Sequence, residues 1–151
     1  MISDSYRDMH NAAVCRRGQS LIEAVVAIGV VIMLVTGLIV GTTVALKNSR
    51  LARNRSTANK YAQEGIELAR GLRDRGWIGF QARDGLYCLG DDSIFPDTPS
   101  ASCTINIGTA FTRSVSFNWQ DPRMETVVTV SWYTGTQTVS SVLKTYFTQW
   151  K

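Results

Sequence analysis

Histidine is nearly absent from this 151-residue chain: His10 stands alone. That argues against histidine-based catalysis and histidine-rich metal sites. Cysteine is scarce too, and three residues are too few for a fold built on disulfides. Proline occurs three times, which with ample aliphatics argues against a disordered chain. Charge is missing where its absence matters most, since residues 24–46 carry none at all. The mean hydropathy of −0.03 and net charge of +4 describe an ordinary soluble domain. The distribution describes something else, because eight of the sixteen basic residues fall within residues 47–75.

The uncharged run reads AVVAIGVVIMLVTGLIVGTTVAL. As a helix it is about 34 Å long at about 1.5 Å per residue, enough to cross a hydrocarbon core of about 30 Å. A helix apolar all round is not the surface helix of a soluble domain. One alternative is a generic signal anchor. Another is a cleaved export signal, with Arg16-Arg17 in front and Thr43-Val44-Ala45 as a small-residue cleavage site. The run is longer than the usual apolar region of such signals.

Beyond Leu46, the residues Leu51, Ala58, Ala62, Ile66, Ala69 and Leu72 recur at helical spacing. No proline interrupts them, and Gly65 and Gly71 are the weak points. The expected element is one helix from about Ser20 to Arg75, its first half apolar and its second amphipathic. After Trp77 the period changes to two. Ala110–Trp119, Glu125–Thr134 and Thr138–Trp150 are expected antiparallel strands, with a turn at 120–123. A shorter strand is expected near Leu86–Leu89 or Thr104–Ile107. The tryptophans are best explained by packing, and the helical apolar face can cover the sheet. The expected fold class is therefore α+β.

The residues ahead of the apolar run are Arg16-Arg17-Gly18-Gln19-Ser20-Leu21-Ile22-Glu23. They resemble the N-terminal signal of type IV prepilins. In that family a glycine precedes the cut, a Ser/Thr, two aliphatics and a glutamate follow, and about twenty apolar residues come next. Gln19 stands where phenylalanine is usual. The resemblance implies a pilin-like fold, and the order Val130-Ser131-Trp132-Tyr133, a turn, then Thr145-Tyr146-Phe147-Thr148-Gln149-Trp150 also resembles minor pilins and pseudopilins of the pilus-modification type. The prepilin resemblance implies a leader over 1–18, a membrane and assembly half-helix over 19–46, an amphipathic half over 47–76 and a β-domain over 77–151. It implies cleavage after Gly18 by a prepilin peptidase and N-methylation of Gln19. Met1 and Met9 are both possible starts for the leader.

A carboxylate costs about 2.5–3.5 kcal/mol at the centre of a membrane helix, so Glu23 calls for a partner. By the family resemblance, that partner is the new α-amine at Gln19 of a neighbouring subunit. The local alternative is a capping box, Ser20-x-x-Glu23, at the start of the helix. Gly37 and Gly41 form a GxxxG pair that suits close helix packing, and by the resemblance the stretch is a place where the helix can loosen, as at the proline of many pilins, the alternative being ordinary membrane-helix glycines.

Residues 47–75 carry a net +5, and residues 76–151 carry −1. The positive-inside rule alone would keep this flank in the cytoplasm; the prepilin resemblance places it outside, since long domains translocate largely regardless of charge. The basic cluster is then placed to meet membrane lipid headgroups, with DNA as the other polyanion to weigh. Outside the cytoplasm Cys88 and Cys103 are expected to pair, the alternative being two free thiols. Asp91, Asp92 and Asp97 lack EF-hand spacing and are expected to solubilise their loop.

There is no phosphate loop, HExxH, nucleophile elbow or CxxC in the chain. No enzymatic activity, cofactor or metal is expected. The implied partners are the prepilin peptidase, other pilin or pseudopilin subunits, an inner-membrane assembly platform and membrane lipid. The implied location is the cytoplasmic (inner) membrane, single-pass with the N-terminus inside, then an extracytoplasmic filament or the cell surface. The alternative function is a single-pass membrane-anchored extracytoplasmic binding module that never polymerises.

Overall fold

The computed structural model describes residues 16–104 and 106–149, with side chains from residue 20 onward. Most of the expected leader, together with Trp150, lies outside the described residues. The chain divides into two compact units, Met1–Asn48 and Ser49–Lys151. Helix α1, Arg16–Arg75, belongs to both.

In the first unit the described part of α1 runs from Arg16. Ser20 therefore lies inside the helix, and the Ser20-x-x-Glu23 pattern does not cap it here. Every described residue from Ser20 to Arg50 is exposed. Leu21, Val26, Ile32, Met33 and Leu38 each leave more than half of their surface uncovered. The span is long and apolar enough to cross a membrane.

The second unit is a helix-on-sheet domain. Along α1 the small residues Ala58, Ala62 and Ala69, with Ile66, turn to the sheet and are buried. This is the face marked by the three-four-seven spacing. At Gly65 the helix lies close on the sheet, since a Cβ there would lie 2.9 Å from Cγ1 of Val128. A short helix that the periodicity does not announce, α2 (Trp77–Gln81), follows at once and buries Phe80.

The four strands are β1 (Gly85–Cys88), β2 (Phe111–Gln120), β3 (Arg123–Tyr133) and β4 (Thr138–Thr148). They form an antiparallel meander in the order β1-β2-β3-β4. Of the two places proposed for the short strand, 85–88 is the one used; Ile107 makes only an isolated bridge to Phe111. Register follows the alternation. Phe117 pairs with Thr126 and Val115 with Val128, and Met124 faces Phe147 on the next strand. Burying each large apolar side chain in this layer is worth about 1.5–3 kcal/mol.

The two borders of the sheet differ. Alongside β1 the Ser100 N–H donates to Leu86 O at 2.6 Å, and Pro99 packs on Gly85. β4 carries no further strand among the described residues. It exposes Val142, Leu143 and Tyr146.

Candidate functional site

Two places carry chemistry worth weighing, one in each unit. The first is the apolar half of α1. Glu23 is the one acidic side chain between Ser20 and Leu46, and it makes no ion pair or hydrogen bond among the described residues. The threonines of the run are not free in the same sense. Thr42 donates to Ile39 O at 3.0 Å, and Thr43 donates to the carbonyls of Ile39 and Val40 at 2.9 and 2.8 Å. Thr36 donates in the same way to Ile32 O. Their hydroxyls are spent on the helix's own backbone, which suits a non-aqueous environment where no water would satisfy them. What the run presents outward is therefore carbon, with a single carboxylate near one end. The helix continues through Gly37 and Gly41, and a Cβ at either would meet nothing within 4 Å. Their surface is open. Gly18 and Gln19 lie in the first turns of α1, where only the backbone is described.

The second place is centred on Arg113, which sequence reasoning passed over. It sits on β2 in the same alternating row as Phe111, Val115 and Phe117, and is fully buried. Its Nε donates to Leu89 O at 3.1 Å and its Nη2 to Gly90 O at 2.7 Å. Its Nη1 reaches α1, donating to Tyr61 O at 3.3 Å and to the Glu64 carboxylate at 3.1 Å. The Arg113 backbone N–H donates to Asn106 Oδ1 at 2.7 Å, and Asn106 Nδ2 returns a bond to Arg113 O at 2.9 Å. Burial pulls the guanidinium below the ordinary arginine value, while Glu64 opposes the shift. One side chain thus ties helix, loop and sheet together. The signal was an arginine in phase with three apolar residues of a strand.

The loop that Arg113 holds is also closed covalently. Cys88 and Cys103 form a disulfide with Cα atoms 5.4 Å apart, the pairing weighed against free thiols. Within the loop, Asp91 accepts the Gly108 N–H at 3.0 and 3.2 Å, and Asp92 accepts that of Ile94 at 3.4 Å. These two carboxylates fasten the loop to itself, which corrects the expectation that they only solubilise it. Arg83 donates to Pro96 O at 2.8 Å, and Phe95 is buried near Tyr87 and Phe117. Among the described residues no three His, Cys, Asp or Glu side chains gather as a metal site.

The described tryptophans pack in the domain. Trp77 and Trp119 meet edge-on at 5.8 Å, and Trp132 is buried beside Phe111. On the opposite face of the sheet, Lys144 pairs with Glu125, and Arg123 lies 4.5 Å over the Tyr146 ring. The bond from Lys144 draws the Glu125 carboxyl below its ordinary value, and the same bond raises Lys144. These are the interactions of a well-fastened small domain. The chemistry left over is that of the apolar half-helix. No family model, curated protein or solved structure matches this chain.

Proposed function

We propose that this protein is a structural subunit of the type IV pilin-like kind, a minor pilin or pseudopilin. It is inserted in the cytoplasmic membrane through residues 19–46 with its N-terminus inside, and assembled into a pilus, a secretion pseudopilus or a DNA-uptake pseudopilus. The observation that carries this reading is Glu23. It is an exposed carboxylate at the head of the exposed apolar run, without a partner among the described residues and five positions after Gly18. A carboxylate in that setting needs a cation from outside its own helix. Cleavage after Gly18 supplies one, the α-ammonium of Gln19, four residues before Glu23.

Assembly then exchanges lipid around residues 19–46 for the helices of neighbouring subunits. The Gln19 ammonium of one subunit meets Glu23 of another and fixes their axial register. Close packing at Gly37 and Gly41 fits the same exchange, because small residues let helix backbones approach. The helix-on-sheet domain faces outward for adhesion, priming or substrate contact, and no catalysis is assigned to it.

N-terminal sequencing of the protein from its native membrane tests the proposal. A mature chain starting at Gln19, with a methylated amine, is the expected result. A start at Met1 overturns it in favour of the non-polymerising anchored module, and a start near Leu46 in favour of a cleaved export signal.

A further inference from the structure

Five cations follow the apolar run: Lys47, Arg50, Arg53, Arg55 and Lys60. All five are exposed, and none has a partner among the described residues. No carboxylate occurs between Glu23 and Glu64, so nothing on the intervening helix neutralises them. The domain covers one side of this stretch in part, since Leu51, Asn54 and Thr57 are half-buried and Leu51 packs on the core, and the first fully covered residue of α1 is Ala58.

Their arrangement around the helix identifies the anion. At about 100° per residue, with Lys47 as zero, the five point at about 0°, 300°, 240°, 80° and 220°. The four nearest the apolar run, Lys47 to Arg55, span about 200° of the circumference. A helix laid against a nucleic-acid backbone needs its cations on one face. A helix passing through a layer of headgroups meets anions on every side, and a collar is the pattern that uses them.

We infer that Lys47, Arg50, Arg53 and Arg55 form a collar that selects anionic phospholipids around the emerging helix. This inference rests on the membrane-spanning part of the proposed function and is independent of polymerisation. The axial positions grade it. Lys47 follows the last apolar residue directly, and Arg50 lies about 4.5 Å further along. Both fall within a headgroup layer about 5–7 Å deep on each side of the hydrocarbon. Arg53 and Arg55, at about 9 and 12 Å, reach back with long side chains or act across about one Debye length. Lys60, at about 20 Å, is too far out to contribute.

The full chain is reconstituted in vesicles of phosphatidylcholine mixed with phosphatidylglycerol. Spin-labelled forms of each lipid report the fraction immobilised at the protein. Phosphatidylglycerol is expected to be preferred severalfold, up to about fivefold for each headgroup-level cation. Added salt should weaken the preference. The double variant Lys47→Gln, Arg50→Gln should lose most of it, Arg53→Gln with Arg55→Gln less, and Lys60→Gln almost none. Equal immobilisation of both lipids by a chain that resists alkaline carbonate extraction overturns the collar and leaves the membrane span standing. Extraction by carbonate overturns both. A loss as large in Lys60→Gln as in the double variant also overturns the collar. So does a chain without lipid preference that binds a DNA duplex through the same residues.

Discussion

The guanidinium of Arg113 and the carboxylate of Glu64 lie 3.1 Å apart, one fully buried on β2 and the other on α1 with 47% of its side chain exposed. The pair is energetically lopsided. Removing the arginine takes a donor from the buried Leu89 carbonyl and from the part-buried carbonyls of Gly90 and Tyr61. Removing the glutamate costs a half-solvated contact. Arg113→Met should therefore destabilise the domain by about 1–3 kcal/mol for each buried acceptor left without its donor. Glu64→Gln should cost about 1 kcal/mol or less. Arg113→Lys should fall between them, because one ammonium cannot reproduce a planar fork of donors. Urea unfolding of the full chain in detergent, followed by tryptophan fluorescence, measures all three; equal losses for Met and Gln would refute the hub.

Two glycines of the same helix should respond in opposite directions. Gly65 faces the stiff, fully buried Val128, whose Cγ1 would lie 2.9 Å from a new Cβ. Gly65→Ala should cost about 1–3 kcal/mol through overpacking. Gly71 has nothing within 4 Å of its site, and Gly71→Ala should stabilise by about 0.5–1 kcal/mol through helix propensity. Adding Val128→Ala to Gly65→Ala separates the clash from its loss of volume: coupling in the double-mutant cycle is the expected result.

The disulfide closes a loop with a sequence separation of 15. Its removal in Cys88→Ser, Cys103→Ser should cost about 3 kcal/mol on the chain-entropy account. Arg113 and Asp91 still hold the loop from within, so the variant should fold and lose stability without losing β2 or β3. Urea midpoints for wild type with and without reductant, beside the double serine variant, measure this; a wild type indifferent to reductant would contradict it.

Stability should fall at both ends of the pH scale through Glu125 and Lys144. Glu125 has its folded-state value depressed, so its contribution is present above the ordinary glutamate range and lost as pH falls through the lowered value. Lys144 is raised, so its contribution is present below the ordinary lysine range and lost as pH rises through the raised value. The two together give a plateau through neutrality. Melting temperatures of wild type and Glu125→Gln across pH test the acid side: the difference between them should shrink as pH drops, and a constant difference would contradict the linkage.

If α1 assembles as proposed, Glu23→Ala should insert in the membrane as well as wild type and enter filaments poorly. Gly37→Ala with Gly41→Ala should lower incorporation without loosening the anchor. Immunoblots of membrane and sheared-filament fractions separate the two effects. Normal incorporation of the glycine pair variant would leave those positions as ordinary membrane-helix glycines.

The parts of the fold legible from sequence are those set by local period. The row Ala58, Ala62, Ile66, Ala69 announces its buried face because a helix returns to one side every three or four residues. Likewise Val115 and Phe117 alternate with serines, and β2 buries the members of that row. What escaped notice depends on residues far apart in the chain. An arginine at 113 looks like a solvated interruption until Leu89, Gly90 and Tyr61 are brought around it. α2 is one short helix placed by Phe80, whose ring meets Phe117 and Phe147, and five residues are too few to show a period. At the N-terminal end the Ser20-x-x-Glu23 pattern, the local alternative to an assembly role for Glu23, lies inside the described helix and does not cap it. The charge asymmetry was legible as a count, but its spread around α1 requires helical geometry.

The unequal borders of the sheet give the domain a directional grain. On the β1 side, Pro99 and Ser100 stand in the way of a neighbour, and the disulfide keeps their loop in place. Along β4 eleven residues lie at the margin, and the one charged side chain among them, Lys144, is already matched by Glu125. Among the described residues, growth of the sheet by another strand is therefore a one-sided affair, open beside β4 and obstructed beside β1. Two such domains cannot be strung border to border into an endless ribbon.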